Sequence, residues 1–306
     1  MSGAALAGGF AADLAFGDPA RWHPVAGFGR LALRAEAAVY APTRRRGAAF
    51  TLALVGAAAL AGEALARSLL GRRTALLVLS WAALGGRSLG REARRVAEAL
   101  ERGDLAAARA ALPALAGRDP WGLDAPGIAR AVVESVAENT SDAVVGALLW
   151  GAVAGPAGVA AYRAANTLDA MVGHRSERYE RFGWAAARLD DAMCWPAARA
   201  GAALAVLCAP VVGGSPRTAW TVLRRDGAAH PSPNAGRMEA AFAGALGVRL
   251  GGPLSYGGRD ERRPGLGRGR PPEVSDVARA VRLSLAAGAA ATAVCAVART
   301  ARGRRR

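Results

Sequence analysis

Glu134-Ser-Val-Ala-Glu138-Asn139-Thr140-Ser141-Asp142 runs directly into Ala143-Val-Val-Gly-Ala-Leu-Leu-Trp150, so a dense polar cluster abuts an apolar stretch with no linker between them. Read as a helix, the segment places Glu134, Glu138 and Asp142 at i, i+4 and i+8 on one face. Three carboxylates on one face repel unless a cation, a proton or an arginine sits among them, which points to a metal or substrate site at a membrane surface. The plainer alternative is a capped helix start, with Thr140, Ser141 or Asp142 as N-cap of the apolar helix that follows.

Working outward, apolar segments recur at about 1–16, 48–70, 74–86, 143–161, 197–213 and 277–298, several approaching the roughly 20 residues a spanning helix needs. The chain is 52% hydrophobic but only 6% aromatic, with alanine and glycine supplying much of the apolar content. Small residues at that density let membrane helices approach closely. Residues 87–118 place apolar and alanine positions at helical spacing between Arg and Glu, as amphipathic helices do. No alternating strand run stands out, and the Gly-, Pro- and Arg-rich residues 251–272 read as a surface loop. The expected fold is all-α: a polytopic membrane helical bundle, residues 1–306 forming one catalytic unit, with amphipathic helices and polar loops at the membrane surface. Gly155-Pro156 breaks the 143–161 segment, which makes a half-helix or re-entrant element plausible there.

The net charge is +16, yet no aromatic-basic stripe accompanies it, so a membrane setting is favoured over nucleic acid. All 40 basic residues are arginine, which excludes a Walker A lysine and a pyridoxal Schiff base. Three scattered cysteines and three scattered histidines argue against a disulfide framework and against zinc.

His23-Pro24-Val-Ala-Gly-Phe-Gly29-Arg30 and His230-Pro231-Ser-Pro-Asn234-Ala-Gly236-Arg237 share the pattern H-P-x4-G-R, each with an aspartate shortly before, Asp18 and Asp226. Such turn-rich loops present an arginine fork and backbone N–H groups to a phosphate or carboxylate. A further polar wall is Asn166-Thr167-Leu-Asp169, followed by Met171 and Gly173-His174-Arg175, with His174 as acid/base or phosphate contact. Asp190-Asp191, before an apolar helix, read equally as N-cap residues. Carboxylates and amides are hard oxygen ligands suited to Mg²⁺ bridging to substrate phosphates, so the residues describe a membrane enzyme handling a phosphorylated substrate.

These motifs, with Gly17-Asp18-Pro19 ahead of the first and Glu239 after the last, resemble the CobD/CbiB family of cobalamin biosynthesis, the adenosylcobinamide-phosphate synthases. They occur in family order over nearly the whole chain. The resemblance implies a multi-pass inner-membrane ligase, its site facing the cytoplasm, that joins aminopropanol or its phosphate to adenosylcobyric acid using ATP. Other late-pathway membrane enzymes are implied partners. In that setting Glu134, Glu138 and Asp142 would hold Mg²⁺, while Asn139, Thr140 and Ser141 would orient phosphates or the corrin carboxylate. Asp169 or His174 would take the amine proton, and His230 is a third acid/base candidate. Arg30 and Arg237 would clamp phosphate, with His23, Asn166, Arg175 and Asn234 as further contacts. Two other readings stand beside it: a phosphotransferase acting on lipid-linked substrates, and a small-solute transporter with intramembrane Glu63 and the Gly-Pro break as gating elements.

Overall fold

A computed structural model describes residues 3–18, 23–117, 119–174, 176–256 and 259–304. The expected all-α architecture is the observed one. In chain order the helices are α1 Gly3–Phe16, α2 Pro24–Val39, α3 Arg44–Arg67, α4 Gly71–Ala83, α5 Gly86–Glu101, α6 Leu105–Ala111 and α7 Ala125–Thr140. They continue as α8 Gly146–Leu168, α9 Tyr179–Phe182, α10 Trp184–Leu207, α11 Pro216–Asp226, α12 Ala235–Leu246 and α13 Val274–Arg304.

Among the described residues three stretches are long and apolar enough to cross a membrane: Arg44–Arg67, Ala125–Gly173 and Val274–Arg302. They contain most or all of the expected segments 48–70, 143–161 and 277–298. The segments at 1–16 and 74–86 form α1 and α4, of 14 and 13 residues, short of a full crossing. Segment 197–213 is divided between the end of α10 and a 3₁₀ turn at Ala209–Val212.

The chain divides into two compact units, each assembled from separated segments. Residues 1–85, 142–197 and 291–306 form the first. Its small core gathers Ala32, Phe50, Leu168, Val172, Phe182 and Ala186, with the Phe50 and Phe182 rings 5.1 Å apart. Within α8, Gly155 adopts φ +67°, and Pro156 supplies no N–H to the turn before it. An apolar helix cannot leave the freed carbonyls to water, and Arg299 of α13 answers them. Its Nη1 donates to the carbonyl oxygens of Gly151 at 2.7 Å and Ala152 at 2.9 Å. Glu63, near the end of α3, is answered in the same way, by Arg67 at 3.2 Å and by Arg72.

Residues 86–141 and 198–290 form the second unit. Its α5 buries Leu89, Ala93, Val96, Ala97 and Leu100 at helical spacing, as the amphipathic reading of 87–118 requires. Asp104 caps α6 and Asp124 caps α7, each accepting a backbone N–H at 2.9 Å. The strand expectation needs correction: Leu250–Tyr256 (β1) and Arg259–Leu266 (β2) pair as an antiparallel hairpin inside the stretch read as loop. Neither strand alternates apolar and polar residues, so the sequence carries no period-2 signal. The entry is set by a bulge between Leu250 and Gly252, with Gly251 at φ +79°, where an added Cβ would lie 2.1 Å from the Pro264 carbonyl oxygen.

Arg299→Gln is expected to lower stability in detergent by about 1–3 kcal/mol, the scale of charge-assisted hydrogen bonds. In a Pro156→Ala background, where the helix regains an N–H, the loss should shrink. Thermal unfolding of the four proteins of that cycle measures it, and an equal loss in both backgrounds would contradict the assignment.

Candidate functional site

The helical stretch from α7 to Gly173, kinked at Gly155-Pro156, carries two π-turns, Ser141–Val145 and Asp169–Gly173. Each holds a motif aspartate, Asp142 or Asp169. Such one-residue expansions redirect side chains without ending the helix and recur at functional sites. They also overturn the capping expectation, because no helix begins at Thr140–Asp142. The Thr140 hydroxyl donates back to the Val136 carbonyl at 2.6 Å, and Ser141 donates to that of Glu138 at 3.0 Å. Both are fully buried, so their hydroxyls serve the helix rather than an open phosphate site. Asn139 also turns back, its amide donating to the Ser135 carbonyl at 2.9 Å.

In the first unit a chain of hydrogen bonds ties the two motif regions together. The fully buried Tyr162 hydroxyl donates to the Asp142 carbonyl at 3.0 Å and lies 3.3 Å from Cys194 Sγ. The Cys194 thiol donates to Asp190, whose Oδ1 also accepts the Asn166 amide at 3.3 Å. Arg163 Nη1 donates to Asn166 Oδ1 at 3.0 Å, so both ends of the Asn166 amide are fixed. Asp190 is therefore not an N-cap: α10 starts at Trp184 and carries Asp190, 8% exposed, in its interior. Asp169 packs against Gly173, where a Cβ would fall 1.8 Å from Oδ1. His174 closes that π-turn at the surface, edge-on to Tyr179 with ring centroids 5.0 Å apart. The loop is anchored by Glu36 of α2, buried, which accepts from Arg178 at 2.8 Å and from the Tyr179 hydroxyl at 2.9 Å. Arg175 lies outside the described residues.

The two His-Pro loops share one local device. His23 Nδ1 accepts the Val25 N–H at 3.1 Å while Nε2 lies 3.9 Å from Asp18. His230 Nδ1 accepts the Ser232 N–H at 2.9 Å while Nε2 lies 3.8 Å from Glu239. In both, the bond at Nδ1 assigns the proton of the neutral ring to Nε2, facing a carboxylate. Arg30 stands exposed on α2.

In the second unit Glu239 is almost fully buried between His230 and Arg263, the latter at 3.9 Å. Glu134, 1% exposed, accepts the Gly251 N–H at 2.7 Å with Arg130 at 4.0 Å. Asn234 accepts from Arg199 at 3.3 Å. Burial, and then the charge of Arg237, hold the Arg199 guanidinium below its ordinary pKa. Two neighbouring guanidiniums beside an amide suit an anion.

Among the described residues no group of three or more His, Cys, Asp or Glu side chains is placed to hold a metal ion. Glu134 is committed to the hairpin backbone through the Gly251 N–H. Sequence reasoning read Asp190 as an N-cap and gave no role to Tyr162, Cys194, Glu36, Arg199 or Glu239. Of these only Glu239 carried a signal, lying nine residues past His230 and so on the helix that follows its loop.

Asp226, which shortly precedes His230 in sequence, pairs with other groups. Both its oxygens accept from Arg225 at 2.6 Å, and it also accepts the Gly267 N–H at 2.8 Å, tying α11 to the end of the hairpin. The Arg225 guanidinium, aided by that N–H, holds its carboxyl below the usual carboxylate range. The depressed folded value makes this contribution complete above the unfolded carboxylate pKa of about 3.9 and lost as pH falls through the folded one. Asp226→Asn should cost about 1–2 kcal/mol at pH 7 and little at the acid extreme, measured by unfolding against pH. The same cost at both ends would contradict the pairing.

Comparison with known proteins follows the motifs. The family model described as CobD/Cbib protein matches residues 6–284. A cobalamin biosynthesis protein CobD of Mycobacterium tuberculosis is 57% identical over 287 residues, covering 92% of this chain and 91% of that one. The same-named proteins of Chromobacterium violaceum and Rhodobacter capsulatus are 45% and 42% identical, covering 89% and 92% of this chain and 88% and 92% of theirs. No solved structure matches.

Proposed function

Because this chain belongs to the CobD/CbiB family and so to cobalamin biosynthesis, we propose that it is the ligase that attaches aminopropanol, or its phosphate, to adenosylcobyric acid. The observation that carries the reading is the placement of family motifs on built polar frameworks rather than on loose loops. Asn166 is fixed at both ends by Arg163 and Asp190, and Asp142 and Asp169 each ride a π-turn.

A carboxylate and an amine do not condense unaided in water, so the acyl group must first be activated. One propionate oxygen of the corrinoid attacks the γ-phosphorus of ATP, giving an acyl phosphate and ADP. The amine nitrogen then adds to the acyl carbon, phosphate leaves with the original carboxylate oxygen, and the nitrogen gives up one proton. The chain contains no lysine, so phosphate charge falls to arginines. Arg237 with Arg199 and Asn234, and Arg30 beyond the His23 loop, are the candidates. Asp169 or the exposed His174 accepts the amine proton. His230, its Nδ1 already bonded, holds a proton at Nε2 against Glu239. Magnesium would accompany the nucleotide phosphates and offset part of their charge. The membrane is the inner one, with the site on the cytoplasmic side where ATP is supplied. The transporter reading loses its main observation, since Glu63 is paired with two arginines.

The test is complementation of a corrinoid auxotroph that grows on cobinamide but not on cobyric acid. This chain should restore use of cobyric acid, while Glu138→Gln and His230→Ala, at equal membrane levels, should reduce growth on it. Failure of the wild type would remove the assignment, and full activity in both variants would remove these residue roles.

A further inference from the structure

The first unit contains a cavity of about 350 Å³, within the range of small-molecule pockets. It lies among α2, α3, α4 and α8, with Phe28, Ala61, Leu65 and Leu79 among its apolar walls. Its two polar lining residues are Arg163 and Thr167. The Thr167 hydroxyl is spent on the Arg163 carbonyl at 2.7 Å, which leaves the guanidinium as the polar group facing the space. Arg163 Nε is buried with no hydrogen-bond partner among the described residues.

Polarity decides what such a space takes. An apolar cavity offers water too few partners, and an empty one forfeits packing. A small phosphorylated amine would meet hydrocarbon on nearly every side. Two walls, α3 and α8, belong to stretches long and apolar enough to cross a membrane, and the apolar window of α3 is only 17% buried by protein. The medium beside this cavity is therefore lipid. Arg163 lies within two turns of the polar end of α8, so a long side chain can meet a headgroup there while the walls hold a chain.

We propose that this cavity is a lipid site: one acyl chain of an acidic phospholipid lies among α2, α3, α4 and α8, and its phosphate meets Arg163. The site shares Arg163 with the framework around Asn166, and its occupant is supplied by the bilayer rather than turned over. A lipid there also packs beneath Pro24 and Val25, the start of the helix that His23 caps.

Native mass spectrometry of the full chain, released from nanodiscs of equimolar phosphatidylglycerol and phosphatidylethanolamine, tests this. One phospholipid should remain per chain, with phosphatidylglycerol favoured about tenfold, because the ammonium of phosphatidylethanolamine competes with Arg163 for the phosphate both lipids carry, a difference of about 1.4 kcal/mol. Ala61→Phe, which fills the cavity, should abolish retention, and Arg163→Gln should keep a lipid but lose the headgroup preference. A wild type that retains no lipid, with Ala61→Phe melting higher, would show a dry void and overturn the proposal. Retention unchanged in Ala61→Phe would place the lipid elsewhere, with the same result. Displacement of the lipid by adenosylcobyric acid or aminopropanol phosphate would make the cavity a substrate pocket and also refute the lipid site, while leaving the ligase reading standing.

Discussion

An apolar interior cannot leave a carbonyl or a carboxylate unanswered, and that constraint shapes the buried polar groups described in both units. At Gly155-Pro156 the helix loses its own donor, and a guanidinium from α13 supplies the missing bonds. Where Glu63 approaches the end of α3, two arginines meet it. Where Glu134 is buried inside α7, the hairpin offers a backbone N–H. With no lysine in the chain, the planar guanidinium does nearly all of this work, because it reaches two acceptors at once.

The same constraint separates structural polar groups from chemical ones. Thr140 and Ser141 are buried and bond their own helix, so their motif residues hold shape. Asn166 is gripped at both ends yet remains half-buried, and His174 stands exposed past a π-turn. The matched His-Pro loops follow one rule: backbone fixes Nδ1, and a carboxylate faces Nε2. The partners differ, Asp18 for one and Glu239 for the other. Asp226, which precedes the second loop as Asp18 precedes the first, is taken instead by Arg225 and the hairpin.

The helices and the motif positions were legible because both rest on local pattern: spacing on α5, apolar length on α3 and α13, and unusual residue clusters. The π-turns at Ser141 and Asp169 were not, because a one-residue expansion leaves no mark on composition and depends on continuous helix either side. Asp190 read as a cap because an aspartate pair before an apolar run is what a helix start resembles; the actual start at Trp184 follows from how α10 packs. The hairpin escaped because its register is set by a bulge and a left-handed glycine rather than by alternation. Arg199 and Glu239 gain meaning only from neighbours remote in sequence, Asn234 and Arg237 for one and Arg263 for the other.

The proposed ligase reaction turns on activation of a corrinoid carboxylate by phosphoryl transfer in a lysine-free site. Its most direct measurement uses adenosylcobyric acid labelled with ¹⁸O in its free carboxylate, incubated with the membrane-reconstituted protein, aminopropanol phosphate and MgATP. The account predicts one ¹⁸O atom in the inorganic phosphate released for each amide formed, with ADP as the other product. Amide formation without label in phosphate, or without consumption of ATP, would contradict it.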